Sequence, residues 1–234
     1  MTLDALARPA SLGEVGGFRP PDHPATSWAA RVALAAPGEA WPTSDGAPML
    51  ALLQLAVREL PVVPDPLRDA ALLTLFVGPF ELPIDVPNGT GWCLRTYGTT
   101  EGLVPIEEPK PARADDPKAA RGEPTTYRPF PVRWREVTDW PTFDCVPADL
   151  QDEWEADGAE DARPNIGGLK AGGWPTTVQG APSWSENGEE LADVEFVLQV
   201  DSDEKTGFSV GYGGVLYVGC RRAAGTWHCT WQSL

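Results

Sequence analysis

Three carboxylates, Asp201, Asp203 and Glu204, crowd the turn that follows the strand-like run VEFVLQV (194–200), with Gln199 just ahead of them. Alternate acids in a turn can offer oxygen ligands to Ca²⁺ or Mg²⁺, hard cations that take carboxylate and carbonyl oxygens. A calcium loop of the EF-hand kind needs a longer series of oxygens around a central glycine, and that series is missing here. The commoner use of such residues is local, with Asp side chains accepting backbone N–H groups to close a hairpin connection. A metal-dependent enzyme or ligand-binding protein centred on this turn is therefore the alternative reading, not the leading one.

The remaining reactive residues are few. His23 lies in PDHP, His228 precedes Cys229, and the other cysteines are Cys93, Cys145 and Cys220. Consecutive strand residues point to opposite faces, so His228 and Cys229 do not form a nucleophile and base with one another. Two histidines without any CxxC pair oppose a zinc site. The expected roles are a surface-facing strand histidine and four reduced, partly buried thiols. GYGG (211–214) lacks a following Lys-Ser/Thr and opens no helix, so it reads as a turn and not a phosphate cradle. No residue is assigned a catalytic role, and no cofactor is expected.

The elements that must position these residues are mostly strands. Twenty-five Pro and 24 Gly, spread along 234 residues, exclude long helices nearly everywhere, and ten Trp suit short strands with frequent turns. In 194–201 the apolar Val194, Phe196, Leu198 and Val200 alternate with Glu195, Val197, Gln199 and Asp201, which predicts a half-buried strand. VLYV (215–218) is a second, WCLRTY (92–97) a third and FPVRWREV (130–137) a fourth. The apolar run Met49–Val57 is strand or helix by its pattern, and DAALLTLFVG (69–78) ends at a glycine. One short helix is predicted after Pro147, over ADLQDEWEADG, with Leu150 and Trp154 four apart on one side.

Composition divides the chain into an N-terminal arm (1–27), extended or loosely docked; a first β unit (28–104); a Pro- and charge-rich linker or loop (105–126); and a second β unit (127–234). The units share an order of landmarks. Trp41-Pro42 precedes LLQL, LLTLFVG and WCLRTY; Trp174-Pro175 precedes VLQV, VLYVGC and WHCTW, with Gln54 and Gln199 in matching places. The fold class expected is mainly β, with duplicated antiparallel sheet units packed as one body and few short helices.

The ordered set NIGGLKAGGWP (165–175), FVLQVDSD (196–203), GYGGVLYV (211–218) and WHCTWQSL (227–234) resembles the YwqG-like family of bacterial, largely uncharacterised proteins. The resemblance is strong in the C-terminal third and loose in the first half, where SWAARVALAAPGEAWP replaces the glycine pair expected ahead of Trp-Pro. It implies a mostly β fold with an internal duplication and no established enzymatic activity. Members resembling this chain also occur beside polymorphic toxin genes, which implies a toxin-neutralising role.

The net charge of −16 is unevenly placed: residues 139–204 hold 17 acidic and 2 basic side chains, against 17 and 13 in 1–138 and none and 3 in 205–234. Such a field repels nucleic acid and acidic membranes and attracts a basic protein partner. Asp152, Glu153, Glu155 and Asp157, with Trp154 and Trp184 as exposed aromatic anchors, are the expected partner-binding residues. Arg221, Arg222 and the Arg133/Arg135 face are expected to pair internally with the acidic segment. The N-terminus has no basic start ahead of an apolar core and no run is long enough to cross a bilayer, so a cytoplasmic location is expected.

Overall fold

The computed structural model describes residues 2–20, 22–109, 127–156 and 162–234. Most of the expected linker falls outside them. Ten strands form one nearly closed antiparallel sheet. In chain order they are β1 (Arg8–Val15), β2 (Trp28–Ala29), β3 (Leu50–Ala56), β4 (Leu72–Val77), β5 (Trp92–Tyr97), β6 (Phe130–Asp139), β7 (Leu169–Gly172), β8 (Glu195–Asp201), β9 (Val215–Arg221) and β10 (Thr226–Gln232). Across the sheet they run β10-β9-β8-β7-β1-β6-β2-β3-β4-β5. The mainly β class expected from composition is the class observed.

The ambiguous run at 49–57 is a strand because both of its faces are covered. Leu53 and Leu55 join Leu73, Leu75 and Val77 in the main core, while Ala51 and Phe76 pack with Val32, Trp41 and Met49 on the other side. A strand buried on both faces loses its alternation and reads as continuous apolar sequence. Each fully buried leucine here contributes roughly 1.5–3 kcal/mol. The outer layer that covers this face comes from segment 30–48, whose regular structure is limited to two-residue strands at Leu34–Ala35, Thr43–Ser44 and Ala47–Pro48.

The sheet order shows a duplication with exchanged first strands. Strands β2-β3-β4-β5 and β7-β8-β9-β10 each run outward in chain order from the centre of the sheet, but β1 sits beside β7 and β6 beside β2. The two exchanged strands pair with each other from Arg8 opposite Asp139 to Val15 opposite Val132. Register shifts fall at Ala51/Leu53 in β3 and at Phe196/Leu198 in β8, one residue ahead of Gln54 and Gln199 in both. Trp28 lies opposite Gln54 where Lys170 lies opposite Gln199. Trp41-Pro42 and Trp174-Pro175 are therefore not equivalent, contrary to the landmark order. Trp41 packs edge-on to Phe76, whereas the Trp174 Nε1 donates to the Leu6 carbonyl.

The N-terminal segment, expected as an arm, is also corrected: β1 is a central strand paired on both sides. Its Pro, Gly and Ala content looked unstructured, yet small residues are what two flanking strands require. Ala10 and Ser11 are wholly buried, and a Cβ at Gly13 would lie 2.9 Å from Leu169 and 3.0 Å from Val132. Removing residues 1–16 would leave β6 and β7 with unpaired edges, which template aggregation. The truncated chain is expected to lose its cooperative thermal transition and to elute as aggregate from gel filtration; a melting curve within a few degrees of the full chain would refute the central role of β1.

Candidate functional site

The acidic surface is built on a small amphipathic unit. A 3₁₀ turn (Ala148–Leu150) leads into helix α1 (Gln151–Ala156), and Leu150 of the turn and Trp154 of the helix face Leu3, Leu6 and Val146. Asp152, Glu153 and Glu155 are exposed, with the first two in the first turn, where the peptide dipoles favour negative charge. Asp157 lies outside the described residues. Trp154 is 1 % exposed, which corrects its expected role as a surface anchor. Four-residue spacing from Leu150 puts it on the apolar stripe, and the N-terminal leucines cover it. Trp184 is half-buried against β9, where a Cβ at Gly219 would stand 2.9 Å from its ring. The structure thus assigns the two tryptophans to separate packing groups.

Both cations of the 139–204 segment are engaged internally. Lys170 Nζ meets Asp139 Oδ2 at 2.9 Å with both side chains inaccessible to solvent, and Arg163 pairs with Asp4 at 3.2 Å. The exposed face of the segment is left to carboxylates, with Asp144, Asp149, Asp152, Glu153 and Glu155 around α1 and Glu189, Glu190, Asp193 and Glu195 around the 185–190 hairpin. Of the basic residues expected to pair with this segment, Arg222 alone does so among the described residues, approaching Glu195 at 4.0 Å; it also pairs with Asp65, outside the segment, at 3.0 Å. Arg135 pairs with Glu14, and Arg133 stacks on Phe18.

Beneath this surface, a buried polar network fixes the loop after β7. Asp139 accepts the backbone N–H of Ile166 at 2.8 Å and of Trp174 at 2.7 Å besides Lys170. Gln199 accepts the Thr176 N–H at 2.9 Å and donates to Thr176 Oγ1 and Asp201 Oδ1. Gln232 Oε1 accepts the N–H groups of Val178 and Gln179 and the Tyr217 hydroxyl. Gln54 plays the matching part in the first repeat, accepting from Ala33 and Leu34 and donating to the Pro24 and Thr26 carbonyls. Asp139, Lys170, Tyr217 and Gln232 escaped the sequence reading. The available signal was Lys170 itself, a lone cation in an apolar, glycine-flanked strand.

The three turn acids are not brought together as one ligand set. Asp201 accepts the Gly168 N–H at 2.6 Å on one oxygen and Gln199 on the other, Asp203 accepts the Thr206 N–H at 2.8 Å, and Glu204 is exposed. Asp201 and Asp203 both line a small, partly open cavity of about 60 Å³ between the repeats. Among the described residues no three His, Cys, Asp or Glu side chains are placed to hold one metal ion. Burial pushes the Asp201 carboxyl up, while the Gly168 and Gln199 hydrogen bonds and Lys170 oppose the shift.

His228 is 4 % exposed, not surface-facing. Its ring lies 3.5 Å from Glu186 and 2.9 Å from Thr226 Oγ1, because the 185–190 hairpin covers β10 at this point. Burial lowers its pKa and raises those of Cys93, Cys145, Cys220 and Cys229, all of which are free thiols. Protonated thiols are poor nucleophiles.

The family described as a domain of unknown function, DUF1963, matches residues 32–224, and the chain belongs to that family. The match spans both repeats and leaves out β1, β2 and β10. No curated protein matches the chain. Among the described residues no helix is long and apolar enough to cross a membrane.

Two outcomes follow from this network. Breaking a buried ion pair by removing one partner costs about 3–5 kcal/mol. In urea unfolding, Lys170→Met is expected near the low end of that range and Asp139→Leu beyond it, since the latter also strands two backbone donors; equal effects would contradict the dual role of Asp139. A carboxyl with a raised folded pKa binds its proton more tightly folded than unfolded, so the stability it adds at low pH is lost as pH rises through that pKa. Melting temperatures from about pH 4 to about pH 7 are accordingly expected to fall less steeply in Asp201→Asn than in the unmodified chain.

Proposed function

We propose that the chain is a non-enzymatic, YwqG-like protein-binding module that holds a basic protein partner through the acidic surface around α1, in the manner of a cytoplasmic bacterial immunity protein occluding a toxin. The observation that supports this reading is the internal use of both Lys170 and Arg163, which leaves the exposed face of the segment to its carboxylates. Concentrated charge of one sign speeds encounter with an oppositely charged partner and selects against acidic ones. The rigid platform beneath, tied by Asp139, Gln199 and Gln232, keeps that surface in one arrangement and lowers the ordering cost of association. The toxin-neutralising element rests on the family resemblance alone.

A metal-dependent enzyme or ligand-binding protein centred on Asp201, Asp203 and Glu204 has less support. The Asp201 oxygens already serve Gly168 and Gln199, and Glu204 does not share the cavity lined by the two aspartates.

The test is affinity capture from the source organism at low and high salt, using the unmodified chain and a variant with Asp152, Glu153, Glu155 and Asp157 changed to their amides. One stoichiometric basic partner, released by salt and absent from the variant, is the expected result. Capture that is indifferent to both salt and the four substitutions would remove the acidic surface from the function.

A further inference from the structure

The first repeat carries a concavity of a different character. It has a volume of about 390 Å³ and is walled by Ala25, Val57, Val63, Ala70 and Ala71, with Arg58, Arg68 and Thr100 as its polar lining. That volume lies within the span of small-molecule sites, which combine apolar walls with a few oriented polar groups. Arg58 is held from one end: its Nη2 donates to the Ala25 carbonyl at 3.1 Å and lies 3.4 Å from His23 Nδ1, which also accepts the Ala25 N–H. No carboxylate pairs with Arg58 among the described residues, and its Nε and Nη1 donors are not used by those contacts. Arg68 is pinned by Asp65 at 2.6 Å, and Asp65 is shared with Arg222 at 3.0 Å.

The charged residues lining this space are thus two guanidinium groups, in a chain whose net charge is −16. Most of the acidic excess lies in residues 139–204, and at physiological salt its influence fades over about 8 Å; of the nearer acids, Glu59 accepts the Ser27 N–H and Asp65 is shared by Arg68 and Arg222. A planar guanidinium with free donors matches a carboxylate geometrically, and the valine and alanine wall matches a short hydrocarbon body. We propose that this concavity binds a small organic carboxylate with an aliphatic body, Arg58 and Arg68 taking the carboxylate and Val57, Val63 and Ala70 the chain. The site is independent of the protein-binding surface and needs no partner to form.

Sodium hexanoate is the probe, titrated into the full chain by calorimetry and thermal shift, with hexylammonium chloride and sodium sulfate alongside. Hexanoate is expected to bind saturably and to raise the melting temperature by roughly 3–5 °C at ten times its dissociation constant. Hexylammonium is expected to give no shift, and sulfate to bind more weakly because it leaves the apolar wall unused. Arg58→Gln is expected to weaken hexanoate at least about tenfold, as loss of a charge-assisted contact implies. Ala70→Leu, which fills the wall while keeping both arginines, should weaken it as well; ligand-free melting of each variant separates misfolding from lost binding. Absence of saturable hexanoate binding, equal binding of hexylammonium or sulfate, or unchanged affinity in a folded Arg58→Gln or Ala70→Leu variant would each overturn the proposal.

Discussion

The antiparallel ladder between β1 and β6 holds the two repeats together, and the constraint it imposes reaches most of the molecule. It pairs residues more than a hundred positions apart, from Arg8 with Asp139 to Val15 with Val132, at the middle of the ten-stranded sheet. Each partner belongs by sequence to one repeat and by hydrogen bonding to the other. Neither repeat can complete its five strands alone, so one continuous core fills the space between them instead of two small ones. A single larger core buries a greater fraction of the chain's surface than two small ones of the same total length.

Asp139, at the end of that ladder, converts a backbone arrangement into a shaped surface. Its carboxylate gathers Lys170 and the N–H groups of Ile166 and Trp174, so the glycine-rich loop on either side of β7 is drawn onto the sheet. Close approach is possible because of the glycines: a Cβ at Gly173, where φ is +69°, would overlap Asp139. A buried ion pair is seldom a net stabiliser against a well-packed apolar pair. Here it also satisfies backbone donors that no strand partner reaches, which an apolar replacement would leave unpaired.

The two repeats keep one device and have diverged in the rest. A glutamine one residue past a register shift holds the loop ahead of its strand in both, Gln54 in the first and Gln199 in the second. Around that shared feature, Trp28 stands where Lys170 does and Thr74 where Tyr217 does. The outer edges differ as well. On β5, Asn88 takes both the N–H and the carbonyl of Leu94, closing that edge with a side chain that mimics a neighbouring strand. The acidic face therefore arose on the repeat with the buried cation, and the arginine-lined concavity on the other.

Local pattern settled a large part of this fold. The alternation in 194–201, the Trp92–Tyr97 run and the Pro and Gly density made a sheet protein legible, as did the paired glutamines that mark the duplication. Likewise, the Leu150/Trp154 spacing placed helix α1, and charge counting located the acidic segment. Those features depend on neighbours within a few residues, which a single chain displays directly. What was not legible depends on partners far away. Small residues in 8–15 look the same in a loose arm and in a strand squeezed between two others. Trp154 was visibly amphipathic, but only Leu3 and Leu6 arriving from the other end of the sequence bury it. Lys170 became structural, and not a surface cation, only when Asp139 met it across the sheet. The sequence by itself determined the elements, their periodicity and the sign of the surface; tertiary structure alone decided the strand exchange and which charges are spent inside, because both are set by contacts between residues with no local trace of one another.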